Sequence, residues 1–358
     1  MSLLRPCLLP RQQLQRIYTT GIASTRSYAV QTPGSPTLEV FNRRTKYLQK
    51  ERAGKNVEQS RKVDYLKDEV AFRLSERLLD INRNFPNVLD LGANSCNIAR
   101  VLTQPVPFPD DTTPAPPISS KISHLTCIDE SAALLHRDES LPFNSELSIT
   151  RQVIPNLESL PFPPNTFDAV LSSLSMHWIN DLPSLLAQVN SILKPDAPFM
   201  AAMFGGDTLF ELRTALQLAD QERRGGVSPH VSPLADVRDI SGLLGKAGFK
   251  LLTVDVEDIV VEYPDMFALM MDLQAMGEGN AILRRERGPI SRDVLLASEA
   301  IYRALHAEEG REGRIPATFR LIYMIGWKEG EGQKKPLERG SGDVNLKDIL
   351  GGGGFGKQ

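Results

Sequence analysis

Cysteine, histidine and tryptophan are scarce in this 358-residue chain, and each scarcity closes off a class of chemistry. The three cysteines, Cys7, Cys96 and Cys127, lack the paired spacing of a zinc or iron–sulfur site and are too few for a disulfide scaffold. No run of eighteen apolar residues occurs, so no membrane-spanning helix is predicted. Charge of one sign is also lacking. A net charge of −3 gives no bulk attraction to nucleic acid or acidic lipid. The first strand-to-helix turn reads Gly92-Ala93-Asn94-Ser95-Cys96 rather than G-x-G-x-x-G, so the dinucleotide fingerprint is absent there. Apolar residues make up 41%, enough for a sizeable core.

One absence is local. Residues 1–38 contain no Asp, Glu or Lys, yet carry Arg5, Arg11, Arg16 and Arg26 among many hydroxyl side chains. That is the composition of a mitochondrial transit peptide, here residues 1–28, cut after Tyr28 and delivering the remainder to the matrix. Residues 29–38 read as a linker. Residues 39–87 read as a helical extension. Its first part is dense in Arg43, Arg44, Lys46, Lys50, Arg52 and Lys55 and is expected as a solvated surface helix, with peripheral contact to the inner membrane or an acidic partner as the other reading. Asp64 is expected to cap a helix over 65–80, where Leu66, Val70, Leu74 and Leu78 recur every four residues.

From Val88 short apolar strands alternate with helices, the pattern of an α/β fold with a largely parallel sheet. Strands are expected at 88–91, 124–128, 148–153, 169–172, 199–204, 251–261 and 319–327. Residues 104–119 are Pro-rich and are read as a surface insertion without a core role. Residues 264–316, with Met266, Met270, Met271 and Met276, form a cap insertion between the last two strands. The Gly- and charge-rich segment 329–358 is expected to be disordered.

The chemistry-bearing residues sit at predicted strand ends, where open α/β sheets bind ligands. Asp90-Leu91-Gly92 closes the first strand and brings backbone close to a ligand. Asp129 closes the second and could accept bonds from two ribose hydroxyls. Asn156 and Leu157, ahead of Leu160-Pro161-Phe162, could meet an adenine, and Ser173 directly follows the fourth strand. His177 lies just beyond. Asp207 and Glu211 follow the fifth strand and could hold a guanidinium, or act as a cap and a first-turn acid. An iron site needs histidines with a carboxylate. His177, His230 and Asp207 are the nearest assembly to the cleft. His136-Arg137-Asp138 and His306-Ala307-Glu308 read as solvated surface, and no metal site is assigned.

These elements in this order resemble the class I S-adenosylmethionine (SAM) methyltransferases. The stretches Ser172–Pro183, Met203–Arg213, Gly225–Pro233 and Met276–Asn280 further resemble a family of mitochondrial respiratory complex I assembly factors built on that fold. The resemblance spans about Val40 to Ser341. It implies a Rossmann-like seven-stranded sheet of order 3-2-1-4-5-7-6 with strand seven antiparallel, in a domain over 88–328. It implies SAM as cofactor, with Asp90, Gly92, Asn94, Asp129, Asn156, Leu157 and Ser173 around it. It also implies hydroxylation of an arginine on an iron–sulfur subunit of the complex. Methyl transfer to a protein or small acid, and a non-catalytic assembly chaperone, are the other readings. The family's loop reads Gly-x-Gly-x-Gly, whereas Asn94 and Cys96 stand here at its second and third glycines.

Overall fold

The computed structural model describes residues 39–105, 117–284, 288–307 and 313–333. The segments expected as transit peptide and linker, most of the Pro-rich insertion, Arg285–Arg287, Glu308 and the end of the tail lie outside the described residues.

In chain order the elements are α1 (Arg43–Lys55), α2 (Val57–Lys62), α3 (Tyr65–Glu76), β1 (Phe85–Leu91), α4 (Asn97–Leu102), β2 (Ile122–Asp129), α5 (Ala132–Leu135), α6 (Phe143–Glu146), β3 (Ile149–Val153), β4 (Ala169–Ser173), α7 (Leu182–Ile192), β5 (Pro198–Phe204), α8 (Phe210–Arg224), α9 (Val237–Lys246), β6 (Phe249–Tyr263), α10 (Met266–Met276), α11 (Arg292–His306) and β7 (Ile315–Lys328). The strands form one seven-stranded sheet of order β3-β2-β1-β4-β5-β7-β6. The first five pair in parallel, and β7 runs antiparallel to both β5 and β6. This is the class I methyltransferase sheet that the motif order led us to expect.

The sheet is covered on both faces, and strict side-chain alternation divides two cores between them. Along β5, Met200, Ala202 and Phe204 join the core beneath α3, α4 and α8, while Phe199, Ala201 and Met203 join the core beneath α7 and α9. Phe199 is fully buried, worth roughly 1.5–3 kcal/mol relative to an exposed ring.

Three local expectations need correction. Asp64 makes no capping bond. Its carboxylate is instead buried against the guanidinium groups of Arg137 and Arg100. Arg137 and Asp138, read as solvated, are buried in that same network, because α2 and α3 pack over them; Arg61 reaches Asp138 at 2.7 Å. Only His136 of that triplet faces outward, 2.6 Å from Glu139. The described end of the Pro-rich insertion also enters the core. Ile118 is buried, and Lys121 Nζ donates to the carbonyls of Leu78 and Ile81 at 3.3 and 3.0 Å, closing the chain end of the α3 segment.

Candidate functional site

The carboxyl ends of β1, β2 and β4 converge on one crevice. Parallel pairing sets Asp90 beside Cys127 and Leu171, and places Asp129 at the last residue of β2. The turn after β1 is tight. Gly92 has φ +71°, and a Cβ there would lie 2.0 Å from Ser175 Oγ, so no other residue fits without displacing the β4 loop. Asn94 and Cys96 take φ of 51° and 59°, so the glycine-type backbone persists without the glycines. Each left-handed L-residue costs about 1–2 kcal/mol. Leu174 and Leu209, following β4 and β5, are left-handed too. The Cys96 side chain turns away from the crevice into the core, with Sγ 3.8 Å from the Leu135 carbonyl oxygen.

Asp129 is fully buried at the end of β2, and its carboxylate is engaged. Oδ1 accepts the Ser131 amide at 2.9 Å; Oδ2 accepts the Asn94 amide and Lys50 Nζ, each at 3.1 Å. Lys50 comes from α1, and both partners are buried. Burial pulls the Lys50 pKa down, but Asp129, then Glu278 and Glu130, outweigh it and leave it raised, so the ammonium form is favoured. Helix α1 sits against the start of α5: Glu51 Oε1 accepts from Ser131 Oγ and the Ala133 amide at 2.9 and 3.0 Å. A Cβ at Gly54 would come 2.5 Å from the Ala133–Leu134 backbone.

The basic segment is therefore only in part the expected solvated face: Arg43, Arg44, Arg52 and Lys55 are exposed, but Lys46 and Lys50 are not. Lys46, Lys50, Ala53 and Gly54, at helical spacing, are the buried side of α1. Lys46 Nζ donates to the Gly277 and Gly279 carbonyls at 3.0 and 2.8 Å and lies 3.3 Å from the Trp178 ring centroid.

Four buried polar atoms at or just past these strand ends have no partner: Asp90 Oδ1, Asn94 Oδ1, Ser173 Oγ and Ser175 Oγ. Burial, reinforced by Cys96 and Asp129, pushes the Asp90 carboxyl well up and favours its protonated form, which can donate. Unsatisfied hydroxyl, amide and carboxyl groups around a strand-end acid suit the ribose and amino-acid tail of a nucleoside–amino-acid conjugate. A ribose seated on Asp129 Oδ2 would take the place of Lys50 Nζ. Asn156 is half-buried, its Oδ1 accepting the Glu158 amide at 2.9 Å; Leu157 is buried, and its amide donates to Glu130 Oε1 at 2.9 Å.

A separate cavity of about 480 Å³ lies past β4 and β5, walled by Phe204, Leu212, Met270, Leu273 and Phe319 among others. His177 lines it, as does Glu278, which follows α10. Glu278 Oε2 accepts Trp178 Nε1 at 2.7 Å and His177 Nε2 at 3.2 Å. Burial pushes the Glu278 carboxyl up, but His177 and the charges of Lys46 and Lys67 outweigh it and hold it well below the usual carboxylate range. Burial lowers the His177 pKa despite Glu278, so the imidazole is neutral near pH 7.

The structure places the other expected residues elsewhere. Asp207 is exposed and paired with Arg320. Glu211 is buried, but accepts from the Thr318 amide and hydroxyl, tying α8 to β7. His230 lines the cavity and bonds Asp220 Oδ2 at 2.7 Å. His177, His230 and Asp207 are thus each engaged with a different partner. Among the described residues no group of three or more His, Cys, Asp or Glu side chains is arranged to hold a metal. Met270 faces the cavity, whereas Met266 and Met276 are buried in the core and Met271 is exposed.

Comparison with known proteins completes the description. A family model described as a methyltransferase domain matches residues 113–201. The mitochondrial arginine-hydroxylase NDUFAF5 of Homo sapiens is 44% identical over 95% of this chain and 91% of its own length. The malonyl-[acyl-carrier protein] O-methyltransferase of Halorhodospira halophila is 32% identical over 81% of this chain and 89% of its own length. Among solved structures, Haemonchus contortus phosphoethanolamine N-methyltransferase 2 with S-adenosyl-L-methionine aligns at a TM-score of 0.44 and 13% identity, covering 77% of this chain and 57% of that one.

Proposed function

This chain belongs to the NDUFAF5 family of mitochondrial arginine hydroxylases, and from that premise we propose that it is a matrix enzyme that hydroxylates an arginine on an iron–sulfur subunit of respiratory complex I during assembly, with SAM or its demethylated product in the crevice. The observation that carries the reading is the 44% identity to the human arginine hydroxylase over nearly the whole chain.

The crevice supports the cofactor assignment through its own chemistry. Asp129 would take the ribose, with Asp90, Asn94, Ser173 and Ser175 at the amino-acid end and Asn156 and Leu157 toward the base. When bound, SAM supplies a sulfonium centre and a transferable methyl. The chain's own contribution is to fix a neutral imidazole, His177, against an ionised carboxylate, Glu278. Among the described residues no helix is long and apolar enough to cross a membrane.

The relationship to the malonyl-[acyl-carrier protein] methyltransferase favours a second reading, methyl transfer to a carboxylate or protein acceptor. Mass spectrometry of complex I iron–sulfur subunits from cells with and without the protein separates the two. An arginine bearing one extra oxygen only when the protein is present is expected. An added methyl supports the second reading, and unmodified arginines in normal cells overturn the first.

A further inference from the structure

Three buried acceptors on residues that line the cavity have no hydrogen-bond partner: Glu278 Oε1, His177 Nδ1 and Gln49 Oε1. Each is an acceptor for a stated reason. Glu278 is ionised, and a carboxylate only accepts. His177 must donate its one proton from Nε2 to Glu278 Oε2, which leaves Nδ1 with a bare lone pair. The Gln49 amide is oriented by Nε2, which donates to the Asn280 carbonyl at 3.1 Å, so its oxygen is the free end. Near Glu278 Oε1 stands Lys67 Nζ at 3.8 Å, too far to satisfy it, and that ammonium is held on the Met276 carbonyl at 3.0 Å.

The three residues come from three separate segments: α1, the turn after β4, and the loop after α10. The ligand that matches them has several N–H donors and no acceptor, and carries an apolar stem for the walls of Phe204, Leu212 and Phe319. A guanidinium offers five N–H groups in a rigid plane, which can address acceptors arriving from different sides. An ammonium is a compact point donor and suits such an arrangement less.

We propose that Glu278, His177 and Gln49 form the receptor for the substrate's arginine side chain, with Glu278 as the anionic partner of the guanidinium. This rests on the arginine-hydroxylase reading and supplies the substrate site that Asp207 and Glu211, engaged by Arg320 and Thr318, do not. Trp178 donates to the other oxygen of Glu278 and so reports on the site.

The experiment uses the purified full chain and N-acetyl-arginine-methylamide, with the lysine and norleucine analogues as controls. Tryptophan fluorescence is the readout, since Trp178 is one of only two tryptophans. A saturable change is expected with the arginine probe, weaker with lysine and absent with norleucine. Glu278→Gln keeps an oxygen for Trp178 and His177 but turns the open end into a donor. It should weaken arginine binding about tenfold to a hundredfold and leave titration with S-adenosylhomocysteine unchanged. Should Glu278→Gln unfold, Gln49→Met carries the test, with a several-fold weakening expected. No response of the wild type to the arginine probe, or unchanged affinity in the variants, overturns the receptor. Arginine binding that depends on Glu278 in a protein whose cellular target arginine carries no oxygen would leave the receptor standing and remove the hydroxylase reading.

Discussion

Replacing Lys50 with Met should lower stability and raise nucleoside affinity at once. The Lys50–Asp129 pair is 3.1 Å long, and both side chains are at least 95% buried. Removing one partner of such a pair leaves the other charge uncompensated and costs about 3–5 kcal/mol. Two backbone amides, of Ser131 and Asn94, still reach Asp129, so the lower end of that range is expected. Thermal unfolding should therefore fall by several degrees.

Binding moves the other way. In the wild type a ribose reaches Asp129 only after the ammonium has been separated from it, and the free energy of that separation is subtracted from the observed affinity. If only about 1.4 kcal/mol is recovered, S-adenosylhomocysteine binds Lys50→Met about tenfold tighter. Calorimetric titration gives the affinity, and thermal unfolding of the same samples gives the stability. A merely structural lysine would lower stability and leave affinity unchanged or weaker. Either result with a folded variant refutes the displacement argument.

Gly54→Ala drives a methyl to 2.5 Å from the Ala133–Leu134 backbone, so α1 must lift from α5, at a cost of about 1–3 kcal/mol. Faster hydrogen exchange across 43–55 with β1 and β4 unchanged is the expected result; unchanged exchange across α1 would contradict the packing. Asp90→Asn tests the protonated carboxyl. Because the folded pKa is raised, the acid's contribution is full below its unfolded value near 4 and is lost as pH rises toward the folded value. The variant should gain on the wild type by about 1.4 kcal/mol per pH unit across that interval. Urea unfolding at pH 5 and pH 8 checks it, and a pH-independent difference would show that Asp90 ionises on folding as it does in the open chain.

The fold was legible because two periodicities coincide with burial. Runs such as Phe199–Phe204 alternate between two cores, and Leu66, Val70 and Leu74, read at helical spacing, are buried along α3. The crevice acids were legible because strand ends are local: Asp90 and Asp129 each follow a short apolar run. What sequence reading missed lies on long-range pairs. Lys50 meets Asp129 from 79 positions away, and Lys46 meets the Gly277 carbonyl across 231. Composition alone marks α1 as solvated, since a lysine-rich helix normally faces water. The contrary signal was positional. Lys46, Lys50, Ala53 and Gly54 share one face, and a small pair continuing a lysine stripe marks close approach of another backbone. Glu278 stood within a recognisable stretch, but its partners Trp178 and His177 are a hundred positions away, and nothing local distinguishes it from a loop acid.

The N-terminal helix thereby belongs to both sites. Gln49 and Lys50 are neighbours in sequence, and a helix turns about 100° between them. That turn carries Gln49 to the cavity and Lys50 to the crevice. Lys46, one turn earlier, holds the Gly277 and Gly279 carbonyls on either side of Glu278. A shift of α1 large enough to free Asp129 also loosens the loop that presents Glu278 and withdraws one of the three acceptors from the cavity. Charges placed this deep are costly unless paired and hydrogen-bonded. Lys46, Lys50 and Lys67 meet that cost with partners drawn from both sites, so the crevice and the cavity are joined by a helix that neither can lose independently.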